Sequence, residues 1–180
     1  MILNVGCGGR PRDKACYYGD VRVDIARFPT VTALMDAHFL AFKASVFDKI
    51  VCFEVLEHLD SPIKALKEFK RVLKTNGKII ISVPNIWYWR RIVRALIEKQ
   101  KIFKTSPEID HKQAWDIYEF HSLAEQVGLK VANVDWLNWY GRKRKLNFLD
   151  RLLKCIIPQI GYTHLLLALK NTKKSKEEIK

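Results

Sequence analysis

The sequence has no uncharged apolar run of about 18 residues, the length that a helix needs to cross a bilayer. No basic stretch precedes the first apolar run at residues 2–5, so we do not expect a secretory signal. The four cysteines, Cys7, Cys16, Cys52 and Cys155, form neither a CxxC pair nor the Cys/His spacing of a zinc site. These absences predict a cytoplasmic protein without disulfides and without a metal site.

Low-complexity sequence and internal repeats are absent except for a Lys/Glu-rich C-terminus. The chain has 180 residues, of which 48% are apolar and 28% charged, a composition typical of one globular domain. We therefore predict a single domain over residues 1–170, followed by a frayed basic tail at 171–180.

Acidic residues are few, since 32 Lys and Arg stand against 19 Asp and Glu and give a net charge of +13. Segments 86–104, 138–154 and 170–180 together account for the whole excess. Such a distribution favours an anionic partner, namely nucleic acid, a phosphorylated substrate or an acidic membrane surface. A solvated basic face with no partner explains the same pattern.

Short apolar runs alternate with helical periodicity along the chain, which predicts an α/β fold with a mostly parallel sheet. Strands are predicted at residues 2–5, 21–25, 31–34, 47–53, 78–83, 130–136 and 164–169. Helices are predicted from Ser61-Pro62 to Asn76-Gly77 and over residues 86–103, 114–127 and 143–157. Only about 11 residues separate the first glycine-rich turn from the second strand, so the first crossover helix must be very short or replaced by a loop.

Unusual residues lie where three successive strands end. The glycine-rich turn Gly6-Cys7-Gly8-Gly9 offers backbone N–H donors and close backbone approach to a ligand. Asp24 follows the second strand, where a carboxylate can accept both hydroxyls of a ribose. Asp36 follows the third strand, where a carboxylate can accept from an exocyclic adenine amine. The sequence thus predicts a nucleoside-containing ligand at this edge of the sheet.

Six segments in order resemble class I S-adenosylmethionine-dependent methyltransferases of the "type 11" subgroup. They are Leu3-Asn4-Val5-Gly6-Cys7-Gly8-Gly9, Val23-Asp24-Ile25, Asp36-Ala37-His38-Phe39-Leu40-Ala41-Phe42, Phe47-Asp48-Lys49-Ile50-Val51 with Val55-Leu56-Glu57-His58-Leu59, Glu68-Phe69-Lys70-Arg71-Val72-Leu73-Lys74, and Ser82-Val83-Pro84-Asn85. The resemblance implies a doubly wound Rossmann-like sheet of seven strands, mostly parallel with an antiparallel C-terminal hairpin. Helices that usually precede the first strand in this family are expected to be absent here.

The cofactor implied by this resemblance is S-adenosyl-L-methionine. The cofactor-binding residues expected by position are Asn4, Gly6, Cys7, Gly8, Asp24, Ile25, Asp36, Ala37 and Glu54. The candidate catalytic residues are His58, Glu54 and His111, with His58 as the base because histidine titrates near neutral pH. Glu57 is interpreted as a capping or pairing residue, and Cys7 as a small packing residue.

The predicted function is methyl transfer to a small-molecule, saccharide or lipid-linked acceptor. The basic amphipathic segments 86–103 and 143–157 suit an anionic membrane surface, which makes a peripheral location an alternative. An RNA methyltransferase and a non-catalytic cofactor-binding subunit of a larger complex remain alternatives. Nucleic acid is the less favoured partner, because no RNA-binding module is appended. Self-association into a homo-oligomer is left open.

Overall fold

The computed structural model describes residues 1–8, 14–98, 111–137, 148–157, 159 and 162–171 of the chain. Seven strands form one sheet: β1 Ile2–Val5, β2 Val21–Asp24, β3 Ala33–Leu34, β4 Phe47–Phe53, β5 Leu73–Pro84, β6 Leu129–Leu137 and β7 His164–Asn171. Four helices accompany it: α1 Pro62–Val72, α2 Trp89–Glu98, α3 Ile117–Gln126 and α4 Phe148–Ile156.

The strand order is β3-β2-β1-β4-β5-β7-β6. The strands from β3 to β5 pair in parallel, whereas β7 runs antiparallel to both β5 and β6. This confirms the predicted seven-stranded, mostly parallel Rossmann-like fold with its antiparallel C-terminal strands. The order reverses between β1 and β4, so the carboxyl ends of these two strands flank the place where such sheets bind ligands.

The core lies on both faces of the sheet. The central strands β4 and β5 are mostly apolar over residues 50–53 and 79–83, as expected for parallel strands that are covered on two sides, whereas their N-terminal parts are polar and largely exposed. Helix α1 packs one face with Leu66, Phe69 and Val72, which recur at spacings of three and are fully buried. Helix α3 begins with a capping box between Asp116 and Glu119.

One predicted boundary is wrong. Asn76-Gly77 was expected to end the helix that begins at Pro62, but α1 ends at Val72 and Leu73 is already extended. Leu73 pairs with Phe47, and the register shifts before Lys78 pairs with Lys49, so Gly77 lies inside β5. A Cβ atom at Gly77 would lie 2.7 Å from the Leu73 side chain, which explains a glycine at this irregular point of the strand.

The short first crossover is present as expected in the described residues, where a single 3₁₀ turn, Lys14–Tyr17, precedes β2. Residues 99–103, 143–147 and 172–180, which belong to predicted basic helices and to the predicted tail, lie outside the described residues. Among the helices that the structure describes, we find none that combines the length and the apolar character required to span a membrane.

Candidate active site

A cavity of about 460 Å³ opens at the carboxyl ends of β1, β2, β3 and β4. This volume falls within the range of about 300–1,000 Å³ that is usual for small-molecule sites. Its lining includes most residues that the sequence predicted for the cofactor: Gly6, Gly8, Asp24, Ile25, Asp36, Ala37 and Glu54. His58, one of the predicted catalytic residues, lines it as well.

The turn after β1 forms one wall of the cavity. Gly6 and Gly8 both have positive φ, at 69° and 65°. The Gly8 N–H donates to Asp24 Oδ2 at 2.8 Å, and the Ala26 N–H donates to Asp24 Oδ1 at 2.9 Å. Asp24 therefore fixes the turn through backbone bonds, and its carboxylate has lone pairs left for further donors.

Asp36 is held by the residue two positions after it. The His38 backbone N–H donates to Asp36 Oδ1 at 2.8 Å, and His38 Nδ1 lies 2.6 Å from the same oxygen. Because the Ser61 N–H donates to His38 Nε2, we assign the ring proton to Nδ1. The backbone hydrogen bond from His38 is the main cause that lowers the pKa of Asp36, so the carboxylate is ionised at neutral pH.

Glu54 stands at the end of β4 in a left-handed conformation with φ 55°, which is unusual for a residue with a side chain. Ser82 Oγ donates to Glu54 Oε1 at 2.7 Å, and His164 Nε2 lies 2.9 Å from Oε2. Thr163 Oγ1 in turn contacts His164 Nδ1 at 2.7 Å. Two neighbouring strands, β5 and β7, thus hold both oxygens of this carboxylate, and Glu54 also lines the cavity.

The two other predicted catalytic residues meet in space. The rings of His58 and His111 pack edge to face with centroids 4.7 Å apart. His111 is brought there because the backbone N–H groups of Lys112 and Gln113 donate to the Glu57 carbonyl at 2.7 and 3.2 Å. Burial, assisted by the charge of His58, lowers the pKa of His111 to about 4, so that this ring is neutral at pH 7.

Two predicted cofactor residues lie outside the cavity lining. Asn4 is buried and its side-chain amide donates to the Tyr18 carbonyl at 3.0 Å. Cys7 is also buried, and burial raises the pKa of its thiol, as expected for a packing residue. Contact of either side chain with the cofactor stays a prediction.

Glu57 was interpreted as a capping or pairing residue, and its Oε1 lies 3.9 Å from His111 Nε2. Its side chain is fully buried, and within the described part of the chain neither carboxylate oxygen accepts a hydrogen bond. Burial and the negative charge of Glu54 raise the pKa of Glu57 to about 8. Sequence analysis selected the neighbouring residue His58 as a catalytic candidate. It could not predict that Glu57 is buried, because this burial depends on long-range packing that no local pattern reveals.

Comparison with known proteins places this geometry in a family. A family model described as a methyltransferase domain matches residues 15–134, two thirds of the chain. A ubiquinone biosynthesis O-methyltransferase of Coxiella burnetii is 24% identical over 81% of this chain and 70% of its own length. An uncharacterised protein of Methanocaldococcus jannaschii is 34% identical over 47% of this chain, and the match spans only 41% of that relative.

Solved structures share the fold at low sequence identity. A SAM-dependent methyltransferase of Thermotoga maritima superposes with a TM-score of 0.64 at 16% identity, over 95% of this chain and 82% of that one. The chain solved in complex with the Haloferax volcanii Trm112 methyltransferase activator gives 0.62 at 15% identity, with the same coverages. With the family match, the strand order and the lining of the cavity in agreement, the chain belongs to the class I S-adenosylmethionine-dependent methyltransferases.

Proposed function

We propose that the chain transfers the methyl group of S-adenosylmethionine to a hydroxyl oxygen of a small or lipid-linked acceptor. One observation carries the proposal. One cavity is lined both by the glycine turn, Asp24 and Asp36, which we call the donor end, and by Glu54 and His58, which we call the acceptor end. The first group matches a nucleoside, and the second offers groups that can act on an acceptor.

The donor end is built for the nucleoside part of the molecule. The turn at Gly6 and Gly8 lets the ligand approach the backbone, Asp24 accepts from the ribose hydroxyls, and Asp36 accepts from the adenine amine. The donor supplies a methyl group on a sulfonium, which is already activated for displacement. The protein therefore has to position the acceptor oxygen in line and keep water out.

The acceptor end has to remove one proton. In the transfer, the acceptor O–H bond breaks and its proton passes to His58, while an oxygen electron pair forms the new C–O bond. The C–S bond breaks and its electron pair stays on sulfur. Glu54, fixed by Ser82 and His164, serves as a positioning residue, and its carboxylate would stabilise the positive charge of a bound sulfonium.

The acceptor class is supported by two observations. A relative that matches 81% of this chain is an O-methyltransferase of ubiquinone biosynthesis, by its name. In addition, α2 carries strongly exposed apolar residues, Leu96 at 75% and Ile97 at 77%, on the same helix as Arg90, Arg91 and Arg94. Such a helix suits an anionic membrane surface from which a lipid-linked acceptor could be drawn.

The test is transfer of radiolabelled methyl to three acceptors: a lipid that carries a free hydroxyl group, in detergent micelles, a free saccharide and a transfer RNA. We expect labelling of the hydroxylated lipid, and His58→Gln to lower the rate by about 10²–10⁴-fold. His121→Gln, on helix α3, is the matched control and should keep the wild-type rate. Labelling of RNA alone would replace this proposal by the RNA methyltransferase alternative, and donor binding without transfer to any acceptor would favour the non-catalytic one.

A further inference from the structure

The buried carboxylate of Glu57 is the feature of this molecule that the proposed function does not use. Its side chain is 0% exposed, and neither oxygen accepts a hydrogen bond within the described residues. An unpaired polar group in the interior is costly unless something compensates it. The adjacent residue His58 lines the cavity that we propose for the donor.

Two imidazoles face this carboxylate. His111 Nε2 lies 3.9 Å from Glu57 Oε1, and the ring of His58 packs against that of His111. One potential ligand atom from each of the three residues lies within 4.8 Å of the other two. The backbone bonds from Lys112 and Gln113 to the Glu57 carbonyl join these distant parts of the chain, so the cluster is built by the fold.

We propose that Glu57, His58 and His111 bind a divalent transition-metal ion at the acceptor end of the cavity. Two imidazole nitrogens and one carboxylate oxygen form a donor set that suits Zn²⁺, Mn²⁺, Fe²⁺ or Co²⁺ better than Mg²⁺ or Ca²⁺. Bonds of about 2.0–2.2 Å place ligand atoms roughly 3.3 Å apart, so the three side chains must move inward by about 1 Å. Binding of a cation would offset the repulsion that the Glu54 carboxylate exerts on an ionised Glu57.

The proposal deepens the proposed function and rests on it for the role of the ion. A bound divalent ion would polarise an acceptor hydroxyl and lower its pKa, so that the O–H bond would break with its electron pair left on oxygen and the proton passed to solvent. His58 then holds the ion and no longer serves as the base. A metal-dependent transfer rate separates this arrangement from direct proton removal by His58.

Metal binding is tested on the full chain after treatment with a chelator and without methyl donor. Zn²⁺, Mn²⁺ and Mg²⁺ are added separately, and the thermal midpoint is recorded. With Zn²⁺ or Mn²⁺ at about 100 times the dissociation constant, we expect a rise of roughly 5–10 °C for the wild type. Glu57→Gln and His111→Gln should lose the rise, with metal affinity lowered by at least about 100-fold, whereas His121→Gln should keep it.

Glu57→Gln preserves the side-chain volume and introduces no charge, so we expect the metal-free variant to be as stable as the wild type. Should it nevertheless fail to fold, His111→Gln decides the test. Equal midpoints with and without Zn²⁺ or Mn²⁺, or a rise that survives both substitutions, would overturn the site. A calorimetric titration of Glu57→Gln with S-adenosylmethionine separates the two proposals, because donor binding without metal binding leaves the proposed function standing and removes only this inference.

Discussion

At the scale of single residues, Gly6 shows how closely the turn after β1 approaches the end of β4. A Cβ atom at this position would lie 2.2 Å from Val55 Cγ2, and the backbone φ of 69° is unfavourable for any other residue. Gly8 has a similar φ, yet a Cβ atom there would meet only Cys16 Sγ at 3.9 Å. The two glycines therefore differ in the space around them and not in their backbone conformation.

This difference predicts unequal costs of substitution. Gly8→Ala should lower the free energy of unfolding by about 1–2 kcal/mol, the cost of a left-handed conformation. Gly6→Ala should lose a further 1–3 kcal/mol or so through overpacking against Val55. Urea denaturation of both variants measures the difference, and equal stabilities would contradict the close approach at Gly6.

Sequence reasoning worked at the residue scale where a side chain's role depends on its position at a strand end. Gly6, Gly8, Asp24 and Asp36 all line the cavity, because parallel strands bring their carboxyl ends to one edge. It did not predict that Glu57 is fully buried, since the burial of a carboxylate depends on residues far along the chain. Neither local spacing nor composition signals that Lys112 and Gln113 will tie His111 to this glutamate.

At the scale of elements, helix α1 holds the segment that carries Asp36. Arg71 forms a two-pronged ion pair with Glu68 at 2.7 Å and donates to the carbonyls of Phe42 and Leu40 at 2.8 and 2.7 Å. Glu68 Oε2 also accepts from the Leu40 N–H at 2.9 Å. The segment 36–42 and the segment 68–74, which the sequence analysis matched separately, are thus joined by these bonds. We call Glu68 and Arg71 with their partners Leu40 and Phe42 the clamp.

The clamp predicts a pH-dependent stability. Hydrogen bonding to Arg71 lowers the pKa of Glu68, so its stabilisation is present above the ordinary glutamate pKa and is lost as pH falls through the lowered value. Glu68→Gln should cost roughly 1–2 kcal/mol near pH 7 and much less near pH 3. Urea denaturation at both pH values tests this, with Lys67→Gln on the exposed side of α1 as control; a constant difference would contradict the clamp.

The elements themselves followed from apolar runs and helical spacing, whereas their boundaries followed from packing. A glycine after an asparagine is a usual helix end, yet α1 ends earlier because Leu73 pairs with Phe47 in the sheet. Similarly, the predicted C-terminal pair of strands exists, but β7 is placed between β5 and β6. A local sequence pattern does not predict that β7 lies between β5 and β6. The position of β7 depends on which strand has an edge that is free for pairing.

At the scale of the whole molecule, two features support the proposed membrane contact: the net charge of +13 and the exposed apolar residues of α2. Each basic residue near an anionic surface contributes on the order of 1 kcal/mol, within a Debye length of about 8–10 Å. We predict binding to vesicles with anionic lipid at low salt, reduced at high salt and reduced by the double substitution Leu96→Glu with Ile97→Glu. Tyr118→Glu, at an exposed position of α3, is the control for added charge.

Co-sedimentation with anionic and neutral vesicles measures this binding. Equal and negligible binding to both at low salt would eliminate the membrane contact. Salt-sensitive binding to RNA without binding to vesicles would instead favour the nucleic-acid alternative for the basic segments.

The central claim, a donor site at the carboxyl ends of β1, β2 and β3, is tested most directly by calorimetric titration of the chain with S-adenosylmethionine. We predict binding of one molecule per chain, weakened by Asp24→Ala through the loss of charge-assisted hydrogen bonds of about 1.5–3 kcal/mol each before solvent compensates. Asp24→Asn should lose less, because its amide oxygen still accepts from the turn, and the exposed Asp135→Ala should bind like the wild type. An Asp24→Ala variant that folds and binds as tightly as the wild type, or a wild-type chain that binds no donor, would contradict the account.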